Sequence, residues 1–288
     1  MTLVSFGLPV YNGVARLEPT VRSVLAQDHA DLELVICDNA STDGTEELAR
    51  SLAAADSRIR YHRHPHNIGL VNNFTFALRL ATGTYFRWVG DDNWLLPSYT
   101  RRCLELFDRD ERLVLVTSQM EYTGPDGSRQ SDGYDGDALG SDDPIVRFEE
   151  LLRLLNESHL LIDPLYGLLR RAPAAAMDRR VVLHEDQILA AKLALAGPWG
   201  HIPEVLGGRG WESQSLSSVA RKIGIGPWGA RFATLVECRE ILRGLGDFPL
   251  TAEQRRRARR AVFGLYVTRH KRTVRHRSRK LLRMALNR

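Results

Sequence analysis

Strand-like and helix-like patterns alternate through residues 3–118, and this alternation constrains the fold more than any other feature of the chain. LVSFGL (3–8) reads as a buried strand, Pro9–Gly13 as a turn, and 14–27 has helical spacing at Val14, Leu17, Val21, Val24 and Leu25. LELVICD (32–38) is a second buried strand. The next segment opens with the capping residues Ser41, Thr42 and Asp43, followed by Glu46 and Glu47 in the first turn of a helix. RIRYHRH is a third strand, a helix follows over about 71–80, and TYFRWV is a fourth strand that stops at Gly90. A helix over 97–107 precedes a fifth strand, RLVLVTS. Strands separated by helices predict an α/β, Rossmann-like doubly wound sheet. Ligands of such sheets lie at the carboxyl ends of the strands. Three separate stretches reach that edge: PVYNG, Asp38, and the cluster Asp91–Asp92–Asn93.

The second half is less regular. DDPIVRFEELLRLL predicts a helix, LYGLLRR (165–171) a strand, and HEDQILAAKLALAG (184–197) a helix with acidic residues in its first turn and Gly197 as its stop. GHIPEVLGGRGW predicts short strands, two or more helices fill 227–285, and the Gly/Asp/Ser-rich stretch 124–143 reads as a mobile loop. The organisation expected is 1–120, 121–222 and a helical C-terminal extension over 223–288.

No apolar run approaches the roughly 18–20 residues that span a bilayer. The N-terminus lacks the basic region of a signal peptide. The three cysteines, Cys37, Cys103 and Cys238, are far apart and odd in number, which argues against a disulfide framework and for a reducing, cytoplasmic setting. The net charge of +5 conceals a division: residues 255–288 hold 14 Lys and Arg and no acid, leaving 26 basic against 35 acidic residues in 1–254.

RWVGDDNWLLP (87–97) sets two adjacent carboxylates and an amide at the end of a buried strand. Neighbouring like charges repel, and burying them is costly without a cation or hydrogen bonds. A divalent metal is the natural offset, and hard oxygen donors suit Mg²⁺ or Mn²⁺.

In order, VSFGLPVYNG, LELVICDNASTDGT, NIG, ATGTYFRWVGDDNWLLP, YGLLRR and HEDQ resemble the pattern of family 2 glycosyltransferases of the GT-A fold, over roughly 2–220. The resemblance implies a mixed sheet and an inverting transfer of sugar from a nucleoside diphosphate. It implies that Pro9, Tyr11 and Asn12 lie along the nucleotide, that Asp38 accepts a hydrogen bond from the base, commonly uracil, and that Asn67 and Gly69 lie nearby. Registered on Pro97, it sets Gly90 where the first Asp of the family motif commonly stands, Asp92 on the metal-ligating Asp and Asn93 on the last one. Asp91 then faces ribose or phosphate. Asp186 matches the catalytic base, with Glu185 beside it shaping the acceptor pocket. Arg209 matches a residue that closes over the diphosphate. Trp211 stands where relatives often have His, which weakens the expected metal requirement and leaves an acceptor-stacking role beside plain packing.

The residues leave two rivals open. A nucleotidyltransferase would carry a Gly-rich, basic loop after the first strand, and GLPVYNG has neither feature. A non-catalytic nucleotide-binding or membrane-adaptor protein of the same fold fits the departures at Gly90 and Trp211. The basic tail, with Val262, Leu265, Tyr266, Leu281, Leu282 and Met284 among its cations, reads as an amphipathic helix. It suits an anionic membrane at the inner face, ahead of a solvated face or nucleic acid.

Overall fold

The computed structural model describes residues 2–158, 160–211 and 215–286, with side chains of the last helix described as far as Thr273. Four parallel strands form the N-terminal part: β1 (Val4–Val10), β2 (Leu32–Asp38), β3 (Ile59–Arg63) and β4 (Tyr85–Trp88). Between them run α1 (Val14–Leu25), α2 (Thr45–Ala55) and α3 (Leu70–Leu80). Every residue of β1, β2 and β4 is buried, as expected of largely apolar strands covered by helices on both faces, and the charged Glu33, Asp38 and Arg87 are buried with them.

Then come β5 (Asn93–Leu95), α4 (Tyr99–Arg109), β6 (Leu115–Thr123), β7 (Arg129–Gln130), α5 (Pro144–Glu157), β8 (Leu168–Arg170), α6 (Arg171–Ala176), α7 (Glu185–Ala196) and β9 (Trp199–Gly210). The sheet order is β3-β2-β1-β4-β8-β6-β9-β5, with β7 paired to β6. β8 runs antiparallel to both β4 and β6, and β5 antiparallel to β9, so the sheet is mixed. β6 crosses residue 120, so the first and second halves share one sheet.

Several sequence expectations are refined. The stretch 200–211 is one strand, not several, and the register shifts within it around Ser118 and Gln119 of β6 let it bend along the sheet. β5 is a strand of three residues, too short to announce itself by alternation. The loop 124–143 is pinned at Tyr134 and Leu139, which are buried, and it carries the β7 hairpin. The predicted strand over 165–171 divides into a 3-10 turn, β8 and the start of α6.

After β9 comes α8 (Leu216–Lys222), and the C-terminal extension is α9 (Pro227–Arg231), α10 (Ala233–Gly244) and α11 (Ala252–Leu286). It is not a detached tail. Ala258, Val262 and Leu265 of α11 and Cys238 and Ile241 of α10 are buried in the core with α5 and α7. Val262 and Leu265, read from sequence as membrane-facing, are therefore spent inside the protein. The side chains of Leu281, Leu282 and Met284 lie outside the described ones. Among the described residues no helix is long and apolar enough to cross a membrane.

Candidate functional site

The carboxyl ends of β1, β2 and β4 carry the loops of the expected nucleotide half. Among the described residues the non-glycine residues with left-handed backbone are Asn12 (φ 52°), Ala40 (φ 62°) and His184 (φ 61°). Each sits at the start of a loop or helix of this region, where strain is maintained only by surrounding contacts. Asn12 is held by its Oδ1, which accepts from Thr42 N–H at 2.9 Å, and by its own N–H, which donates to Ser41 Oγ at 2.9 Å. Asp43 ties the same loops together: its carboxylate accepts from Val14 N–H at 3.3 Å and from Thr45 N–H at 3.1 Å.

Asp38 lies at the end of β2 as expected, but its carboxylate faces inward. It is fully buried (0% exposed), Oδ1 accepts from Ser41 N–H at 2.9 Å, and Oδ2 accepts from Tyr61 Oη–H at 2.8 Å. Arg63 Nε stands 3.5 Å from Oδ2. Here Asp38 anchors the loop that follows β2. Asn67 is exposed, and its Oδ1 accepts from Asn39 Nδ2 and from Gly69 N–H. Pro9 is buried within β1. Tyr11 is open to solvent at 50% exposure, and it alone of the residues expected along the nucleotide offers a free ring there.

The turn after β4 is built from backbone and amide. Gly90 N–H donates to Asn93 Oδ1 at 2.9 Å, and Asn93 Nδ2 donates to Asp92 Oδ1 at 3.2 Å. A Cβ at Gly90 would stand 2.8 Å from that same Asp92 oxygen, so glycine is what permits the turn to close. Asn93, buried in β5, uses its amide to set the turn and the angle of Asp92, which departs from the expectation of a free metal ligand. Asp91 pairs with Arg16 Nη2 at 2.6 Å across to α1. Burial raises the Asp91 carboxyl above its ordinary range, and the Asp92 charge adds to that against the pull of Arg16. A Cβ at Gly13 would come within 2.6 Å of Asp91 Oδ2, so this contact too depends on a missing side chain.

Asp92 opens onto a cleft of about 1140 Å³. Asp186, Arg209 and Trp211 line the same cleft, as do Arg16 and Leu165. β9 delivers Arg209 and Trp211: Arg209 is the register partner of both Asn93 on β5 and Tyr122 on β6. The Arg209 guanidinium lies 4.8 Å from the centre of the Tyr166 ring and 5.9 Å from that of Trp211, with Nη1 3.5 Å from Asp163 Oδ2. Asp163, Tyr166, Arg16 and Arg179 belong to the site and were not picked out from sequence. Nothing local marks Arg16, Asp163 or Tyr166, whose partners are distant along the chain, and Arg179, which pairs with Glu185 six residues on, also stacks on the distant Trp88.

α7 brings the two acids of HEDQ to different surroundings. Glu185 is buried against Arg179, whose Nε donates to Oε1 at 2.6 Å and whose Nη2 donates to Oε2. The Arg179 guanidinium stacks on Trp88 at 4.8 Å. Both Glu185 oxygens are thus occupied, which suits a wall of the pocket and not a proton acceptor. Asp186 is exposed to the cleft and makes no ion pair with a described residue. Protein crowds it, and this lost hydration raises its carboxyl above the ordinary value, with Glu185 and Asp163 adding repulsion and His184 opposing. The helix N-terminus alone would hold it ionised, as the sequence suggested; crowding and like charge outweigh that here.

Among the described residues no group of three His, Cys, Asp or Glu converges on a point where a metal would sit. In the cleft the chain offers Asp92, a carboxylate with Oδ1 bonded to Asn93 Nδ2. That fits a small, hard cation only in the manner of Mg²⁺ or Mn²⁺ held by one carboxylate and by substrate phosphates; it does not fit an all-protein cage.

The family model described as Glycosyl transferase family 2 matches residues 5–176. The chain is 32% identical over 209 residues to a chondroitin synthase of Escherichia coli, covering 70% of this chain and 28% of that protein. It spans between 14% and 28% of the length of the first curated relatives it matches. In three dimensions it is similar to residues 1–349 of TarS from S. aureus in complex with UDP-GlcNAc, with a TM-score of 0.69 at 14% identity, covering 92% of this chain and 72% of that one. It is also similar to the mannosyltransferase PcManGT from Pyrobaculum calidifontis in complex with GDP-Man and Mn²⁺, with a TM-score of 0.53 at 15% identity, covering 94% and 86%. At these identities the structural likenesses show the fold, GT-A.

Proposed function

Because the chain belongs to glycosyltransferase family 2, we propose that it moves a sugar from a nucleoside diphosphate, UDP ahead of dTDP, to an acceptor hydroxyl with inversion. One observation carries the reading: Asp92 from the donor half and Asp186 from the acceptor half line one cleft, with Arg209 in it. The UDP-GlcNAc held by the TarS neighbour and the polysaccharide named in the chondroitin synthase relative support a UDP-sugar donor and polysaccharide or glycolipid synthesis.

Tyr11 lies along the base, while Asp38, Asn12, Asn67 and Gly69 hold the loops that shape its pocket. Asp91, tied to Arg16, stands toward ribose or phosphate. Asp92 would hold a divalent cation together with the donor diphosphate, and that cation would neutralise charge building on the leaving group. Arg209, a cation in a partly enclosed site, stabilises the same charge. Asp186 takes the proton of the attacking hydroxyl, help typically worth about 10²–10⁴-fold. With Glu185 pinned, a single free carboxylate beside the acceptor favours direct displacement. Trp211 offers a ring against which an acceptor sugar packs.

An anionic membrane surface remains a proposed partner, now through the exposed cations Arg256, Arg259, Arg260, Lys271 and Arg272 of α11. Vesicle flotation of the full chain and of a variant with Arg256, Arg259 and Arg260 changed to Glu tests it; equal, negligible binding by both removes the partner.

The enzyme itself is tested by a thermal-shift panel of nucleoside diphosphates and their sugars with and without Mn²⁺, followed by nucleotide release with the best donor. Stabilisation by a UDP-sugar and release of UDP are expected. No response to any nucleotide overturns the assignment, and binding without turnover in the presence of varied acceptors points to the non-catalytic alternative.

A further inference from the structure

The residues flanking Asp186 line the same cleft, but each is held by a partner elsewhere in the protein. Glu185 is locked to Arg179. His184, left-handed at φ 61° and ψ 31°, places its Nδ1 2.7 Å from Glu237 Oε2 on α10. Gln187 Oε1 accepts from Arg269 Nη2 of α11 at 2.7 Å. Arg269 Nη1 also donates to Glu237 Oε2, closing a bridge from the C-terminal helices to the first turn of α7.

We infer that Arg269 and Glu237 are positioning residues for the catalytic turn: they hold His184 and Gln187, and with them the turn that presents Asp186 to the cleft. The inference rests on the reading of Asp186 as the base.

Three features support it. Glu237 is fully buried, yet only its Oε2 is bonded and its Oε1 has no partner among the described residues. A buried carboxylate so incompletely satisfied is a poor scaffold device, because apolar packing would serve stability as well or better. Its charge is retained where its contacts lead to the turn that carries Asp186. The left-handed backbone at His184 costs a residue bearing a Cβ, and it persists where contacts impose it. The bridge joins α10 and α11 to α7 at the one end of that helix that faces the cleft.

The test uses full-length Arg269→Gln, Arg269→Lys and Glu237→Gln, with Arg257→Gln as a control that loses another α11 contact, to Glu149 of α5. Misplacing a reacting group by about an ångström costs up to about 10²-fold. Arg269→Gln and Glu237→Gln are therefore expected to lower kcat by roughly tenfold to a hundredfold, with UDP affinity and donor KM within about twofold of the parent. Arg269→Lys, which keeps the charge beside Glu237, is expected to recover part of that loss. Hydrogen–deuterium exchange should rise in peptides covering 183–190 and stay constant in β1–β4. Unchanged exchange at 183–190 in Arg269→Gln overturns the inference, and so does an equal loss of kcat in Arg257→Gln. The exchange readout needs no turnover, so a parent protein that transfers no sugar sinks the transferase reading while exchange still decides the bridge.

Discussion

Asn93 and Arg209 lie opposite each other on β5 and β9, so a turn that follows the fourth strand and a cation near the end of the sheet become neighbours. The pairing brings Asp92, on the turn, to the same cleft as Arg209. Gly210 completes the approach, since a Cβ there would meet Asp92 Oδ2 at 3.0 Å.

Asp186→Asn should separate catalysis from folding. We expect kcat to fall by about 10²–10⁴-fold with UDP binding retained. Because burial raises the Asp186 carboxyl above its ordinary range, its charge is held less favourably in the native state than in the unfolded chain. Removing that charge should leave the melting temperature unchanged or higher, and differential scanning calorimetry beside steady-state kinetics reads both.

The same shift fixes the sign of a pH effect. A base must be deprotonated, so kcat/KM should fall on the acid side through an apparent pKa above that of an ordinary Asp. A pH–rate profile of the parent whose acid limb lies at or below pH 4, the usual Asp range, contradicts the assigned environment.

Glu185→Gln should behave in the opposite way to Asp186→Asn. It leaves Arg179 buried without its carboxylate partner, and breaking such a pair costs about 3–5 kcal/mol. Chemical denaturation should show that loss of stability. A variant as stable as the parent would mean that the pair is not the wall described here.

Gly90→Ala drives a Cβ toward Asp92 Oδ1 and Asn93 Nδ2. Asp92 should turn, and the Mn²⁺-dependent part of UDP-sugar binding should weaken by roughly tenfold, a change of about 1.4 kcal/mol. Isothermal titration with and without Mn²⁺ measures it. Asp92→Ala should abolish that part altogether.

His201 gives the fold an acid sensitivity of its own. Burial lowers its imidazole to about 4, and Thr117 Oγ1 lies 2.9 Å from Nδ1. The unfolded chain binds this proton near pH 6.5 while the native state resists it, so stability falls as pH drops from about 6.5 to about 4, by up to roughly 1.4 kcal/mol per pH unit. In His201→Gln the slope of stability against pH over that interval should be shallower by one proton.

Much of the fold was legible because β1, β2 and β4 are buried on both faces and announce themselves as largely apolar runs between amphipathic helices. The acids at the strand ends followed from the same reading, since a doubly wound sheet gathers its loops along one edge. What sequence alone left undetermined was the direction in which each side chain turns. Asp38 and Asn93 occupy the expected positions but bond inward to Tyr61 and Gly90, because a buried carboxylate or amide must be satisfied by whichever partner the tertiary fold brings nearest. Asp163, Glu237 and Arg269 carry no local pattern; they meet their partners between segments far apart in the chain, and Arg179 joins its near neighbour Glu185 to the distant Trp88. Local periodicity determined which elements form and which edge they share. Long-range packing decided which of two adjacent acids in HEDQ is locked to Arg179 and which is left open to the cleft.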